Sequence, residues 1–157
     1  MNQKNGTFVL HSIGQVHCGE GSFTVEILPP YRPAMAQLDQ FSHAYIVWWA
    51  DQLDSDEARE ILQCTPPYAE ETVTGVFACR SPARPNPVAF SVCPLLSVDV
   101  KNGIIQVPWI DAEDGTPVVD VKAYFPISDR VRDVRMPKWV AHWPEWTEDA
   151  HLLEDPT

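Results

Sequence analysis

The segment GVFACRSPARPNPVAFS, residues 75–91, places a proline-rich loop between two stretches of apolar, strand-like sequence. Proline fixes φ and removes a backbone donor, so this loop is predicted to be rigid and to lie outside any β-ladder. Two guanidinium groups on such a loop present planar sets of donors for a carboxylate or phosphate, or flat faces for a ring. We therefore interpret the loop as a ligand site rather than a plain surface turn. Its cationic, amide and proline positions are Arg80, Pro82, Arg84, Pro85, Asn86 and Pro87.

The overall composition is that of a single globular domain. Its 157 residues are 45% hydrophobic, which is sufficient for a buried core. Fifteen prolines against seven glycines favour stiff connections and few long helices. The formal net charge of −11 argues against the binding of nucleic acid by charge alone.

The cysteines and the N-terminus indicate where the protein works. Cys18, Cys64, Cys79 and Cys93 form no CxxC pair, whereas zinc sites and small secreted domains use closely spaced cysteines. We therefore expect no metal site, and we expect Cys79 and Cys93 to be buried thiols. The N-terminus lacks the layout of a signal peptide, and no apolar run is long enough to span a bilayer. The sequence therefore predicts a cytoplasmic protein that does not enter membranes.

Apolar, β-prone residues recur in seven segments that we predict to be strands. Residues 43–50 are almost wholly apolar, as expected of a strand buried on both faces. Asn102 and Gly103 predict a hairpin turn between the fifth and sixth strands. Two short helices are predicted, the clearer over residues 54–62 and the other within residues 31–40. The seven strand segments are residues 8–16, 23–28, 43–50, 71–80, 87–100, 104–110 and 117–125.

Short strands at close spacing, with one or two small helices, predict a mainly β protein in the form of a small antiparallel β-barrel. A Rossmann fold is excluded, because GxGxxG and a regular βαβ alternation are both absent from the sequence. We predict a barrel domain over residues 1–138 and an aromatic, then acidic, tail over residues 139–157. The tail is expected to fold back over the body or to contact a partner, and its tryptophans are Trp139, Trp143 and Trp146.

Four stretches together resemble the TrmO-like, or TsaA-like, family of S-adenosylmethionine-dependent methyltransferases. In order along residues 12–126 they are IGQV, LDQFSHAYIVWW, GVFACRSPARPNPVAFS and WIDAEDGTPVVDVKAYFP. The resemblance implies a small β-barrel outside the Rossmann class, usually a homodimer, with S-adenosylmethionine bound between the proline loop and the DGTP loop near the dimer interface. The best-known members methylate N6 of the threonylcarbamoyl-modified adenosine beside the tRNA anticodon, so tRNA is an expected partner.

The resemblance also implies roles for individual residues. Arg80 is expected to pair with the cofactor carboxylate, whereas Asp111, Glu113 and Asp114 are expected near its ribose hydroxyls, amino group or sulfonium. If the acceptor is an exocyclic amine, Asp111, Asp114 or His43 could take its proton. Asp114 could instead only close a turn, and His43 could be a structural histidine. The full set of expected cofactor-binding positions is Asp51, Gln52, Arg80, Ser81, Arg84, Asn86, Val92, Ile110, Asp111, Glu113 and Asp114.

The chain departs from the family pattern at three places. A proline–arginine–glutamine motif after the first strand is absent, RPNPIGLS is replaced by RPNPVAFS with Ala89 and Phe90, and DIKPY is replaced by DVKAY with Ala123. Alternatives to tRNA methylation therefore stay open, namely methyl transfer to a small molecule or other acceptor, a non-catalytic sensor of S-adenosylmethionine, and a structural dimer without a ligand. Residues predicted to lie in the core rather than to stack on adenine are Trp48, Trp49 and Trp109.

Overall fold

The computed structural model describes residues 6–19 and 21–153, and its main element is a seven-stranded sheet. In chain order its strands and those of a small separate ribbon are β1 (Gly14–Gly19), β2 (Ser22–Ile27), β3 (His43–Trp49), β4 (Gln63–Cys64), β5 (Thr74–Gly75), β6 (Val88–Pro94), β7 (Ser97–Asp99), β8 (Ile104–Val107) and β9 (Pro117–Ala123). The helical elements are short. They are α1 (Asp56–Arg59), α2 (Pro126–Asp129) and the 3-10 turns Pro29–Met35, Leu38–Gln40, Asp51–Leu53, Val76–Ala78, Lys138–Val140 and Thr147–Leu153.

The sheet has the order β6-β3-β9-β1-β2-β8-β7, and every pairing between neighbours is antiparallel. Its two edges, β6 and β7, are consecutive in the chain. The connection from Pro94 to Ser97 spans at most about 11 Å, so the sheet must curl until these edges approach at one end. The Leu95 N–H donates to the Ser42 carbonyl and the Leu96 N–H to the Gln106 carbonyl, each at 2.8 Å.

The expectation of a mainly β, antiparallel fold is confirmed, but the sheet is not a closed barrel. Among the described strands, β6 pairs only with β3, and β7 pairs only with β8. A closed ladder would need the two edge strands to bond to each other. The chain instead bends at Leu95 and Leu96, whose amides bond to opposite sides of the curl, so the ladder stays open beside β6.

The hydrophobic core lies inside the curl, where alternate residues of each strand point inward. In β3 the buried residues are Ala44, Ile46 and Trp48, while the residues between them are half-buried on the outer face. Residues 43–50 are therefore fully buried on one face, not on both as the apolar run predicts. Each fully buried aliphatic side chain stabilises the fold by about 1.5–3 kcal/mol, and the core includes Val16, Val25, Ile27, Ile46, Ile105, Val107 and Val118.

The first strand begins at Gly14, later than the predicted start at Phe8. Residues 6–13 form no strand, and the Phe8 side chain is 87% exposed. Gly14 is the point at which β1 lies between two neighbours, since it pairs with Ile27 of β2 and Val118 of β9. Ile13 extends these contacts by one residue, since its N–H donates to the Val118 carbonyl at 2.8 Å and its carbonyl accepts the Leu28 N–H at 2.9 Å. Residues 6–12 lie in no ladder, so the β propensity of the apolar residues 8–10 is not used.

The predicted strand over residues 71–80 is reduced to the two residues of β5. Its second half is a 3-10 turn, because the Arg84 side chain donates to the carbonyls of Val76 and Cys79 that a ladder would otherwise engage. The clearest predicted helix is also shorter than expected. α1 is capped by the Ser55 hydroxyl, which accepts from the Ala58 N–H at 3.2 Å, and the chain has entered β4 by Gln63.

The described part of the C-terminal segment folds back over the body, which is one of the two arrangements the sequence allowed. Tyr68, in the loop between β4 and β5, stacks on Trp139 with ring centroids 6.0 Å apart and meets Trp143 edge-on at 4.9 Å. Val140, which lies between these two tryptophans in the sequence, is buried. In the described ranges, no helix combines the length and apolar character that crossing a bilayer requires.

Candidate functional site

A cavity of about 630 Å³ opens where β3 ends and β6 begins. Four segments line it. They are the end of β3 with the turn that follows, the proline loop, the start of β6, and the loop between β8 and β9. The lining residues fall within 48–53, 80–84, 88–90 and 109–116. The proline loop is thus part of a concave site rather than a plain surface turn. Eight of the predicted cofactor-binding positions line the same cavity: Asp51, Gln52, Arg80, Ser81, Arg84, Ile110, Asp111 and Glu113.

The cavity lies along an edge of the sheet. Val88, Ala89 and Phe90 are consecutive in β6, and all three line it. Successive side chains of a strand point to opposite faces, so three neighbours reach one cavity only if it follows the edge of the strand. The edge of β6 away from β3 has no ladder partner among the described residues. The site can therefore offer main-chain N–H and C=O groups to a ligand as well as side chains.

Arg84 fixes the shape of the proline loop. Its Nε donates to the Ser81 carbonyl and its Nη2 to the Cys79 carbonyl, both at 2.7 Å, and Nη2 also donates to the Val76 carbonyl. The five donors of a guanidinium suit this kind of multiple attachment. Most of the N–H donors of the Arg84 guanidinium thus bond to backbone carbonyls of its own loop. The role of Arg84 in the site is to hold that loop in place.

Arg80 is exposed and turns its guanidinium to the ring of Phe90, with its central carbon 4.6 Å from the ring centroid. Within residues 6–19 and 21–153 it forms no ion pair with a carboxylate. A cation held against an aromatic face keeps its in-plane N–H donors available. Arg80 is therefore positioned to bind an anionic group that enters the cavity.

The same cavity is also lined by carboxylates. The Gln52 side chain donates from Nε2 to Oε2 of Glu113 at 2.7 Å, which joins the turn after β3 to the loop after β8. Asp111 lines the cavity near this bond. Its side chain still reaches solvent, yet the cavity wall withdraws enough water that burial raises the pKa of its carboxyl above the ordinary aspartate range. Asp111 is therefore the carboxyl in this cavity best suited to accept or hold a proton.

Two aromatic residues complete the mouth and floor of the cavity. Trp109 follows the end of β8 and is 59% exposed, so the expectation that it belongs to the core is wrong. Trp48 is 9% exposed and donates from Nε1 to the Ser91 hydroxyl at 3.2 Å, as a core residue that also forms the cavity floor. In the sequence, the only sign that Trp109 is exposed is Pro108, since a proline ends the strand and turns the next side chain outward.

Residues 14–130 match the tRNA-methyltransferase O N-terminal domain. The chain belongs to the TrmO family. The match begins at the first residue of β1 and ends just after α2, so it includes every segment that lines the cavity.

Known proteins similar to this chain agree with the TrmO assignment. A protein of Archaeoglobus fulgidus named "Probable S-adenosyl-L-methionine-binding protein" is 36% identical over 127 residues, which is 81% of this chain and 31% of that protein. A Pseudomonas aeruginosa protein named "Putative S-adenosylmethionine-dependent methyltransferase RcsF" is 36% identical over 136 residues, covering 81% of this chain and 56% of its own. A crystal structure of TrmO from P. aeruginosa superposes with a TM-score of 0.67 at 27% identity, covering 87% of this chain and 63% of that one. This chain therefore spans less than two thirds of the length of each of these three proteins.

The structure bears out one departure from the TrmO pattern. β1 and β2 pair through to Gly19 and Ser22, and Gly21 has φ of 72°, so the two strands are joined by a tight turn. A longer connection carrying a proline–arginine–glutamine motif has no place there. Among the described residues, the cavity is lined by the four segments already named, and the β1–β2 connection is not one of them.

Four residues expected from the TrmO resemblance do not line the cavity. The Asp114 carboxylate accepts the Cys18 N–H at 2.9 Å and ties its turn to β1, a structural role that differs from the closing of its own turn that the sequence left open. His43 lies 2.9 Å from the Ser42 hydroxyl, five residues or about 16 Å along β3 from Trp48. The remaining two are Asn86, exposed on the proline loop, and Val92, on the outer face of β6.

Proposed function

We propose that this protein binds S-adenosylmethionine in the cavity beside β6 and transfers its methyl group to an acceptor. The observation that carries the proposal is that one cavity of about 630 Å³ is lined by both signs of charge. Arg80 supplies the cation, and Asp111 and Glu113 supply carboxylates. S-adenosylmethionine carries a carboxylate, an ammonium and a sulfonium, and this volume is ordinary for a ligand of its size. The names of the similar proteins support the same choice of ligand.

The residues of the cavity divide into binding and positioning groups. Arg80 would pair with the ligand carboxylate through two parallel N–H donors. Asp111 and Glu113 would accept hydrogen bonds from hydroxyl or ammonium groups, and Gln52 orients Glu113 through their bond. The hydrogen bond that Arg84 donates to the Ser81 carbonyl holds Ser81 in place in the proline loop. The bound cofactor would supply an electrophilic methyl carbon, and the walls would exclude water from the approaching acceptor.

We further propose that the acceptor is N6 of threonylcarbamoyl-modified adenosine in tRNA. The family to which the chain belongs is described by tRNA methylation, and the exposed rings of Trp109 and Phe90 at the cavity can stack on a base. Asp111 would take the proton that N6 loses, because a carboxyl with a raised pKa is a better base near neutral pH. The net charge of −11 and the tight β1–β2 turn favour a second candidate, a small planar acceptor without a phosphate backbone.

A homodimer is part of the proposal. The outer face of β3 and β6 presents Tyr45, Val47, Val88 and Phe90, and Phe90 also lines the cavity. An apolar sheet face beside a site is the kind of surface that a second copy covers. We also place the protein in the cytoplasm, because its four free cysteines suit a reducing compartment.

Calorimetry with S-adenosylmethionine and its demethylated product tests the binding site. Arg80→Ala should weaken binding of S-adenosylmethionine by about ten- to hundredfold, the usual cost of losing a charged pair of hydrogen bonds. Arg132→Ala, which removes an exposed cation outside the cavity, should leave the dissociation constant unchanged. Equal loss in both variants, or no binding by the wild type, would refute the site.

Turnover separates the enzyme from a sensor. The protein is incubated with labelled S-adenosylmethionine and tRNA that carries, or lacks, the threonylcarbamoyl modification, and the nucleosides are then identified by mass. Label confined to the modified adenosine supports the tRNA acceptor. Tight cofactor binding without label in tRNA, but with label in a small-molecule extract, supports the second candidate. Binding without any transfer supports the sensor.

A further inference from the structure

Two cysteines that the proposed reaction does not use lie in contact directly behind the proline loop. The Sγ atoms of Cys64 and Cys79 are 3.3 Å apart, at van der Waals contact and within about 1.3 Å of the length of a disulfide bond. Cys64 is partly exposed, whereas Cys79 is buried. Cys79 is followed immediately by Arg80, which lines the cavity. The pair therefore lies one peptide bond from the proposed ligand site.

The fold holds both thiols in this position from two sides. Cys64 is in β4, which pairs with β5 through Cys64 and Thr74, and the Val76 N–H donates to the Leu62 carbonyl at 3.0 Å. The 3-10 turn Val76–Ala78 then returns the chain so that Cys79 meets Cys64. Arg84 holds the Cys79 carbonyl at 2.7 Å. Forming the bond requires the two sulfur atoms to move about 1.3 Å closer together.

We propose that Cys64 and Cys79 are a thiol–disulfide modification site, which a low-molecular-weight disulfide such as oxidised glutathione converts to a reversible intramolecular crosslink. The crosslink would join the β4–β5 ribbon to the start of the proline loop. It would close a loop that contains Tyr68, the residue on which Trp139 and Trp143 pack. One bond would thus restrain the proline loop and the base of the C-terminal segment together.

The chemistry balances with glutathione disulfide as the oxidant. The Cys64 thiolate attacks one sulfur of glutathione disulfide, a mixed disulfide forms on Cys64, and one glutathione thiolate leaves. The Cys79 thiolate then attacks Cys64 Sγ, the internal S–S bond forms, and the second glutathione thiolate leaves. The two protons lost by the cysteines are taken up by the two glutathione thiolates. Two protein thiols are oxidised, and one glutathione disulfide is reduced to two glutathione thiols.

The groups around the pair set the rate of this exchange. The hydrogen bond with Cys79 and, secondarily, burial raise the pKa of the Cys64 thiol, while Arg84 opposes the rise. Tyr68 also lies near both thiols, and burial and these thiols raise the pKa of its phenol. Because the attacking species is the thiolate, little of it is present at pH 7. Oxidation should be slow at pH 7 and should accelerate as the pH rises toward the pKa of Cys64.

Peptide mapping of the whole protein tests the proposal and needs no S-adenosylmethionine, so its failure is distinct from failure of the proposed function. The protein is incubated at pH 8.5 in buffers of increasing oxidised-to-reduced glutathione ratio, alkylated and digested. We expect one Cys64–Cys79 disulfide, loss of two of the four thiols, and full recovery with dithiothreitol. Closing a loop of this length should raise Tm by about 5–10 °C.

Three variants serve as controls. Cys64→Ser and Cys79→Ser should each abolish the crosslink and the Tm rise, and circular dichroism shows whether each variant is folded. Cys18→Ser removes a partly exposed cysteine elsewhere and should form the crosslink as the wild type does. Glutathione that stays on Cys64, a disulfide between two chains, or four intact thiols at the most oxidising ratio would each overturn the proposal.

Discussion

The Gln52 side chain donates a hydrogen bond to the Glu113 carboxylate at 2.7 Å and so joins two walls of one cavity, although the two residues lie 61 positions apart in the chain. Gln52 belongs to the turn after β3 and Glu113 to the loop after β8. The bond holds two of the cavity-lining segments together. The bond also gives a structural role to Gln52, which is otherwise an exposed polar residue.

Loss of this bond should weaken binding of S-adenosylmethionine without unfolding the protein. Gln52→Ala should raise the dissociation constant about three- to tenfold, because the bond is charged but open to solvent. Calorimetry on Gln52→Ala, Glu113→Ala and the double variant would show coupling between the two positions. Ser97→Ala, which removes an exposed bond to Gln106 outside the cavity, is the matched control. Strictly additive effects would mean that the bond does not shape the site.

Two tryptophans in the same cavity should respond differently to substitution. Trp48→Ala should destabilise the fold by about 3–5 kcal/mol, since the ring is buried in the core. Trp109→Ala removes an exposed ring and should change the free energy of unfolding by less than about 0.5 kcal/mol. Denaturant unfolding of both variants tests this contrast.

The Trp109→Ala protein should nevertheless lose transfer activity. If Trp109 stacks on the acceptor, KM for the acceptor should rise while the affinity for S-adenosylmethionine is kept. An equal loss of cofactor affinity would instead place the cofactor adenine on this ring.

Asp111→Asn should stabilise the protein at neutral pH. Burial raises the pKa of Asp111 in the folded state, so the folded protein binds the proton more tightly than the unfolded chain does. The stabilisation from that proton is complete below the ordinary aspartate pKa of about 4 and is lost as the pH rises through the folded pKa. Above that pH range the Asp111→Asn variant avoids the free-energy cost of a partly desolvated charge, because asparagine is neutral.

Thermal unfolding at pH 7 and pH 3.5 tests the sign. The Tm of Asp111→Asn should exceed that of the wild type at pH 7, and the two should converge at pH 3.5. Methyl transfer by the same variant should fall sharply if Asp111 takes the acceptor proton. Full activity in Asp111→Asn would remove that role.

Gly14→Ala should disrupt the junction of β1 with its two neighbours. A Cβ at this position would clash with the Glu26 carbonyl oxygen, a backbone atom that cannot move aside alone. We expect a destabilisation of about 1–3 kcal/mol, as for other overpacked sites. At Gly19 the nearest atom is the Ser22 hydroxyl at 3.2 Å, so Gly19→Ala should cost much less. Chemical denaturation of both variants makes the comparison.

The proposed homodimer should depend on the outer face of β3. Val47→Lys adds a second lysine to the patch that Val47 forms with Tyr45, Phe90 and Lys122, and sedimentation should then show a monomer. Val131→Lys changes an exposed apolar residue elsewhere and should leave the dimer intact. A wild-type monomer at micromolar concentration would contradict the proposal.

The sequence predicted those features that depend on local patterns. The apolar, β-prone run of residues 43–50 gave β3, the β-prone residues 117–125 gave β9, and Asn102-Gly103 gave the β7–β8 hairpin. Proline density predicted a stiff loop, and the structure places that loop at a cavity. The prediction that Cys79 and Cys93 are buried thiols is confirmed, and burial raises the pKa of Cys93 to about 11.

What the sequence missed depends on contacts between distant segments. The start of β1 is set by Ile27 and Val118, and no local pattern in residues 8–13 reveals that these partners begin at Gly14. The strand expected over residues 71–80 is cut short by the bonds from Arg84, a side chain beyond its end. The exposure of Trp109 follows from its place at the cavity mouth, which becomes visible only when four separate segments meet.

The edge of β6 that has no ladder partner among the described residues has a consequence for how this protein could change over time. Main-chain amides and carbonyls stay in place whatever side chain is attached to them, so recognition that uses them tolerates mutation. The replacements at Ala89 and Phe90 alter the wall beside that edge and leave its peptide groups untouched. A scaffold of this kind could exchange one acceptor for another and still keep its hold on the methyl donor.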